Sequence, residues 1–582
     1  MKSDERYPAR RLREACSSVV GRRVVVGAYF VLAAIFLLGL SRRGLSYLDV
    51  GMYMSGYQYF NEAPLTTSFL GQWLMSYELT GALMKWLSID TYYGLRVLRM
   101  ALVMLVEVCV YLGLRRDVPR RYLLAGLALA TLSQQDSYYE INYNDYSAFL
   151  LCLALLALYH AFTRSRRRLL GYALSGLAVG VAILFRFTNL SFLFLPVGAL
   201  LVFGVLRLPR PRAAGLWAFY VGAAAGLALM VALAVATGKG GMLAQTVTDL
   251  FQIGTRGDDP HNVKNVFFWL YGMYKQQVKA GAIVAILVLV YAALRRRTSS
   301  HVWRVALLAC FIFLMWLNIY LREIISDVTV GLSWITFFVL VVAPRFRRGP
   351  VAAFAMGFLF PLFLPIGTNG GSVFIGQCAV FMPLPATLCI LATNFKQSSM
   401  PADIHRLPAF VLGAIVLPFL WATVKRPMSE EGCRLECRYA IDSPLAKGIT
   451  TTRNNAGTLN HIVHQLRGSY LHGDYLICTF NIPAISLLEC RPYGVFSTVF
   501  CSPYMCRHYV TVAEQHLHTL PSVLLDKEAM TPKDGDLVRF LRSQSTYRRV
   551  WTDGRFVLLK PDVRHASTSH HNEYSSSSST QP

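Results

Sequence analysis

Charged residues are scarce in this chain. Only 15% of its 582 residues are Asp, Glu, Lys or Arg, against roughly a quarter in a soluble globule, while 54% are hydrophobic and mean hydropathy is +0.41. That shortage excludes an ordinary water-soluble protein and leaves a polytopic membrane protein. Acids are the rarer sign, 32 against 57 basic residues, for a formal charge of +25. The excess does not read as a nucleic-acid surface, because the basic residues form short clusters between apolar runs, where they set orientation in a membrane. No small-residue cleavage site follows the first apolar run, so the basic start MKSDERYPARRLREACSSVVGRRVVVGAYF reads as a retained anchor. The cysteine pairs Cys433/Cys437 and Cys501/Cys506 lack the two-residue separation of common zinc ribbons. In an oxidising compartment they are candidate disulfides, which spacing alone does not prove.

What is present is a series of apolar segments of bilayer length. They run from residues 24–40, 96–114, 122–134, 147–163, 169–187, 190–206 and 213–236, then 278–294, 302–321, 331–343, 351–366, 378–393 and 407–424. The predicted fold is therefore mainly α, with about thirteen transmembrane helices. Every second connection is basic (RRDVPRR, RSRRR, RLPRPR, RRRTSSHVWR, PRFRR), which puts the N-terminus inside and the C-terminus outside. Residues 1–427 form the membrane domain, with two long outer loops at 41–95 and 238–277. The stretch TTSFLGQWLMSYELTGALMKWL, interrupted by Gln72, Glu78 and Lys85, reads as an amphipathic helix lying at the interface. Together the two loops would roof a cavity at the outer leaflet.

Residues 428–565 have the composition of a small extracytoplasmic α/β domain. NNAGTLNHIVHQLRG and GDLVRFLRSQ have helical spacing, DYLICTF and SVLLDK read as buried strands, and YRRVWTDGRFVLLKP as a hairpin turning at Asp553-Gly554. The tail at 566–582 is Ser-rich and of low complexity.

Two acids stand at the same outer level. Asp49 follows the first span in YLDVGMYMSGYQYF, and Asp145 precedes the fourth in QQDSYYEINYNDYSAF, which also holds Asp136 and Glu140. Taken singly, Asp145 reads as a cap for a helix beginning near Ser147, and Asp49 as solvated or capping a loop helix. Their coincidence under aromatic loops points to a buried acidic site. Glu107, inside the second span, reads as paired with an arginine or facing water. Gly176 and Gly180 in GLAVGVA read as helix packing.

An acid in the first outer loop, a second at the outer start of span four, about thirteen spans and an outer α/β domain resemble the GT-C superfamily of membrane glycosyltransferases. The resemblance is to the protein mannosyltransferase and lipid A aminoarabinose transferase branches, bacterial members in particular. It is carried by YLDVGMYMSGYQYF, YNDYSAFLLCLALLALYHAF, GYALSGLAVGVAILFRFTNLSFLFLP and SPLAKGITTTRNNAGTLNHIVHQLRGSYLHGDYLICTF. One departure is that many relatives have Asp-Glu in the first loop, whereas Val50 follows Asp49 here. The resemblance implies an inverting transfer of sugar from a polyprenyl-phosphate donor to a hydroxyl of a lipid, glycan or protein on the outer face. Asp49 would be the general base and Asp145 the orienting acid, supported by Glu140 and Tyr53.

The leaving phosphate needs cations, and the outer-side candidates are Lys85, Arg186, Arg256, His261, Lys264 and Arg322. Arg186 and Arg322 stand out because they adjoin apolar spans, where an unpaired charge is costly. His261 with an acid such as Glu62 is a weak metal signal, so the metal requirement stays open and no cofactor is assigned. The bilayer itself is the remaining expected partner, in a bacterial inner membrane or, in a eukaryote, the endoplasmic reticulum. The competing class is a transporter or lipid flippase, favoured by Pro361, Pro365, Pro383 and Pro385 in spans eleven and twelve. It is disfavoured by the absence of repeating halves and by the outer position of the acids.

Overall fold

The computed structural model describes residues 19–45, 50–61, 71–136, 140–164, 168–209, 213–255, 263–320, 326–342, 348–367 and 378–397, single residues between 413 and 424, then 433–467, 475–479, 491–493, 502–528 and 530–562. Asp49, Glu62, Arg256, His261 and Arg322 lie outside them, as do the thirteenth apolar segment for the most part and the Ser-rich tail.

Each of the first twelve apolar segments falls on helix. In chain order these are α1 (Val19–Ser41), then α2 (Val50–Tyr59) and α3 (Leu74–Leu87) in the first loop, α4 (Tyr92–Leu114), α5 (Arg120–Leu132), α6 (Tyr143–Thr163) and α7 (Arg168–Phe185). A 3-10 segment, Phe187–Phe194, leads into α8 (Leu195–Val205), followed by α9 (Ala213–Ala236), α10 (Gly240–Thr255), α11 (Val263–Arg297), α12 (His301–Tyr320), α13 (Ser326–Val342), α14 (Arg348–Phe363) and α15 (Pro383–Gln397). Among the described residues seven helical stretches are long and apolar enough to cross a membrane, and four shorter apolar helices accompany them. Their outward faces carry Leu32, Ile35, Trp217, Val221 and Leu229, all exposed. Apolar surface on that scale is stable only against lipid or another protein.

Close packing inside the bundle depends on small residues. A Cβ on Gly176 would meet the carbonyl oxygen of Phe219 at 1.9 Å, and one on Gly180 that of Ala223 at 2.1 Å, so α7 lies backbone to backbone on α9. The prolines mark the helix ends in spans eleven and twelve. Pro361 sits in the last turn of α14, and Pro383 and Pro385 open α15 five residues into its apolar segment, where the missing N–H has no intrahelical partner to lose.

The soluble domain holds a five-stranded sheet of order β4-β3-β5-β7-β6, from β3 (Tyr475–Cys478), β4 (Arg491–Pro492), β5 (Ser522–Asp526), β6 (Tyr547–Thr552) and β7 (Phe556–Pro561). β3 runs parallel to β4 and β5, while β7 runs antiparallel to β5 and β6. Helices α16 (Arg453–Arg467), α17 (Pro503–Leu517) and α18 (Pro532–Gln544) complete it, and Gly554 takes φ 97° at the hairpin turn. Cys433 and Cys437 flank the one-turn 3-10 helix Arg434–Glu436, and Cys437 Sγ lies 3.9 Å from the Cys433 carbonyl oxygen. Cys506 is buried, and Cys501 lies outside the described residues.

The domain docks on the first loop. Ahead of the sheet, β1 (Tyr439–Ala440) pairs with β2 (Thr450–Thr451), and Thr450 exchanges main-chain bonds with residues 42–44: Thr450 N–H to Arg42 O at 2.9 Å, Gly44 N–H to Thr450 O at 2.8 Å. One apolar cluster then runs from Leu45, Tyr53 and Tyr77 through Leu445 and Ile449 into the sheet residues Leu476 and Leu558.

Candidate active site

The start of α6 is built from NYNDY. Asn142 caps the helix and Asp145 closes a reciprocal box, its Oδ2 accepting the Asn142 N–H at 3.0 Å. The helix thus begins at Tyr143, four residues before the sequence placed it. An acid there also faces the positive end of the helix dipole.

The acids predicted to orient substrate are held by cations that sequence reasoning missed. Arg99 Nε donates to Asp145 Oδ1 at 2.9 Å and its NH2 to Gln134 Oε1 at 3.1 Å. Arg96 Nε donates to Glu140 Oε1 at 2.7 Å and its NH1 to the Ser41 carbonyl at 2.9 Å. All four charged side chains are buried. Arg96 and Arg99 are three residues apart on α4, hence on one face, and that spacing at the head of an apolar span was the signal available. Asp145 thus pins α6 to α4. Glu107 differs from the expectation: it accepts hydroxyl bonds from Tyr29 and Thr131, at 2.8 and 2.7 Å, is fully buried, and pairs with no arginine among the described residues.

Around this frame the first loop folds into an aromatic wall. Tyr57 donates to the Ile141 carbonyl at 2.7 Å, fixing α2 on the 140–146 segment. Tyr53 meets Tyr143 edge to face at 6.1 Å, and Trp73 stacks on Tyr143 at 4.5 Å. Ser76 on α3 donates to Phe185 O at 2.8 Å, and the Phe187 N–H donates to Gln72 O. Asp49 itself lies outside the described residues, between Leu45, which is fully buried, and Val50, which opens α2.

Among the described residues Arg186 is the one predicted cation placed in this wall. It is 2% exposed, its guanidinium donating to the Leu364 and Ile366 carbonyls at 2.9 and 3.0 Å and lying 6.0 Å from the Tyr143 ring centre. Among the described residues no carboxylate pairs with it. Nearby buried polar atoms have no hydrogen-bond partner among the described residues either: Ser55 Oγ, Glu140 Oε2 and both amide atoms of Asn144. Polar groups are rarely left so, and a polar occupant would satisfy them.

The other predicted cations fare differently. Lys85 is exposed in the last turn of α3, and Lys264 is exposed at the start of α11. A cation that sequence reasoning missed is Lys239, just past α9. Its Nζ donates to the Phe60 carbonyl at 2.9 Å, lies 4.6 Å from the Phe60 ring centre and 3.9 Å from Glu78. Burial raises the Glu78 carboxyl above its ordinary range, and the Lys239 ammonium partly offsets that. The second long loop joins the same region, since α10 packs Thr246 against Gly71, and Asp249 lies 3.7 Å from His508 of the α/β domain. Among the described residues no group of three or more His, Cys, Asp and Glu gathers to hold a metal ion.

No protein-family profile matches the chain, and no curated protein does. Among solved structures it is similar to that of ArnT from Cupriavidus metallidurans bound to undecaprenyl phosphate, at 14% identity over 93% of this chain and 98% of that one, with a TM-score of 0.48. It is also similar to the Archaeoglobus fulgidus oligosaccharyltransferase in complex with zinc and sulfate, at 13% identity over 91% and 72% of the two chains, TM-score 0.48. A third is the archaeal oligosaccharyltransferase AglB of the same organism with an inhibitory peptide and a dolichol-phosphate, at 12% identity, 91% and 74% coverage and a TM-score of 0.43.

Proposed function

We propose that this protein is a GT-C-like inverting glycosyltransferase that moves a sugar from a polyprenyl-phosphate donor to a hydroxyl acceptor at the outer face of the membrane. The observation that carries the reading is Arg186, a buried guanidinium with no carboxylate partner among the described residues, beside Tyr143 and Tyr53 at the head of the helix that follows Asp49. A buried cation held only by carbonyls and a ring calls for an anion. A leaving phosphate supplies one, and its charge grows in the transition state, where such a cation is most effective.

In this mechanism the acceptor oxygen attacks the anomeric carbon while Asp49 takes its proton. The bond from that carbon to the phosphate oxygen breaks, and polyprenyl phosphate leaves against Arg186. The Arg96–Glu140 and Arg99–Asp145 pairs hold the floor of the site in place. Lys239 joins Arg256, His261, Lys264 and Arg322 as a second source of positive charge, and exposed Lys85 is the least suited. The protein would be a multi-pass enzyme of the bacterial cytoplasmic membrane, or of the endoplasmic reticulum in a eukaryote, with about thirteen spans and the C-terminal domain outside.

The test is release of polyprenyl phosphate by purified protein given a polyprenyl-phosphate sugar. Asp49→Asn is expected to lower the rate by roughly 100- to 10,000-fold, the usual worth of a positioned general base. An unchanged rate in Asp49→Asn removes the proposed base, and solute uptake that ignores this substitution supports transport instead.

A further inference from the structure

The geometry points to a phospholipid headgroup site at the opposite end of the bundle, in the cleft where α11 turns into α12. The cleft measures about 560 Å³ and is lined by Arg297, Thr298, Ser299, Ser300, Trp303 and Leu307, among others. It is remote from the candidate active site. Tyr274, whose hydroxyl donates to Leu362 O beside the carbonyls that hold Arg186, stands 23 residues earlier on α11, about 35 Å at 1.5 Å per residue.

Charge argues for an anionic occupant. From Pro260 to Arg322 the sequence contains no Asp or Glu, while Arg295, Arg296, Arg297 and Arg304 cluster at this turn. Arg304 Nε is committed to the Thr298 carbonyl at 3.0 Å, and Thr298 Oγ1 donates to Leu294 O at 2.8 Å, which fixes the turn. Arg297, Ser299 and Ser300 are exposed residues lining the cleft.

Apolar surface argues that the anion belongs to a lipid. Trp303 is 69% exposed, and Leu289, Val302 and Val305 beside it are also exposed on the flanks of the two helices. An indole at headgroup level with an aliphatic flank below it accommodates acyl chains, which free phosphate would leave uncovered. A basic turn needed only for topology would require neither the cleft nor its hydroxyls. The occupant is thus an anionic glycerophospholipid, its phosphate on Arg297 and the serine hydroxyls and its chains along α11 and α12.

The test is native mass spectrometry of the full chain in detergent with added phosphatidylglycerol, phosphatidylcholine or inorganic phosphate. One phosphatidylglycerol should be retained in preference to phosphatidylcholine. Arg297→Gln combined with Ser299→Ala should weaken it roughly fivefold or more, whereas Arg297→Lys should retain most of the binding. Equal retention of the two lipids, equal binding by the double variant, or displacement by equimolar inorganic phosphate would each overturn the proposal. The lipid comparison on wild-type protein stands even if a variant cannot be recovered, and no arm depends on transferase activity.

Discussion

Arg99 and Asp145 are the residues whose removal has the clearest physical cost. Both are buried, and each satisfies more than one partner, so Arg99→Ala leaves a carboxylate without its cation in a low-dielectric site. The expected loss is roughly 3–5 kcal/mol, read from unfolding in detergent, while replacing both members by apolar residues should cost much less. At Arg186 the expectation is different in kind. Arg186→Gln should reduce release of polyprenyl phosphate with little change in the unfolding midpoint, since its partners are two carbonyls and a ring. Glu78 adds a pH dependence. Its carboxyl is raised by burial, so the native state binds more protons than the unfolded one between the ordinary carboxylate range, about 4.3, and the raised value. Its contribution is full below that range and is lost as pH rises through the native value. Between pH 7 and pH 4 the wild type should therefore gain stability relative to Glu78→Gln, as read from melting curves of the two.

At the scale of elements, helix existence followed from apolar run length, and twelve segments needed only that. The ends did not follow. The α6 start moved from Ser147 to Tyr143 because Asn142 and Asp145 form a reciprocal cap, a feature of two side chains that hydropathy does not register. Likewise Leu190–Leu206 became a 3-10 segment before α8, where Pro196 sits in the first turn. The α7/α9 contact was legible, since glycines four apart on an apolar helix leave a groove for a neighbour. Gly180→Leu would drive a side chain into the Ala223 carbonyl, and the variant is expected to fail to accumulate as a monodisperse species in size-exclusion chromatography.

Across the whole molecule, the first loop, α10 of the second long loop and the α/β domain come together. The Thr450 bridge to residues 42–44 anchors the chain just before Asp49, and α2 anchors it just after. Thr450→Pro removes the N–H given to Arg42. It should loosen the domain, seen as faster proteolysis between the last span and α16, and lower transferase activity while the membrane helices persist. Composition and periodicity alone determined that the chain is a helical membrane protein with a small α/β domain, because burial in lipid demands long apolar helices whatever their neighbours. Which charges face one another was decided only by the tertiary structure. Arg96, Arg99 and Lys239 were not singled out from sequence, and packing shows that the first two are paired with Glu140 and Asp145 while Arg186 meets no acid among the described residues. Pairing between groups 44 or 46 residues apart depends on how helices cross, and no local pattern in the sequence encodes that crossing.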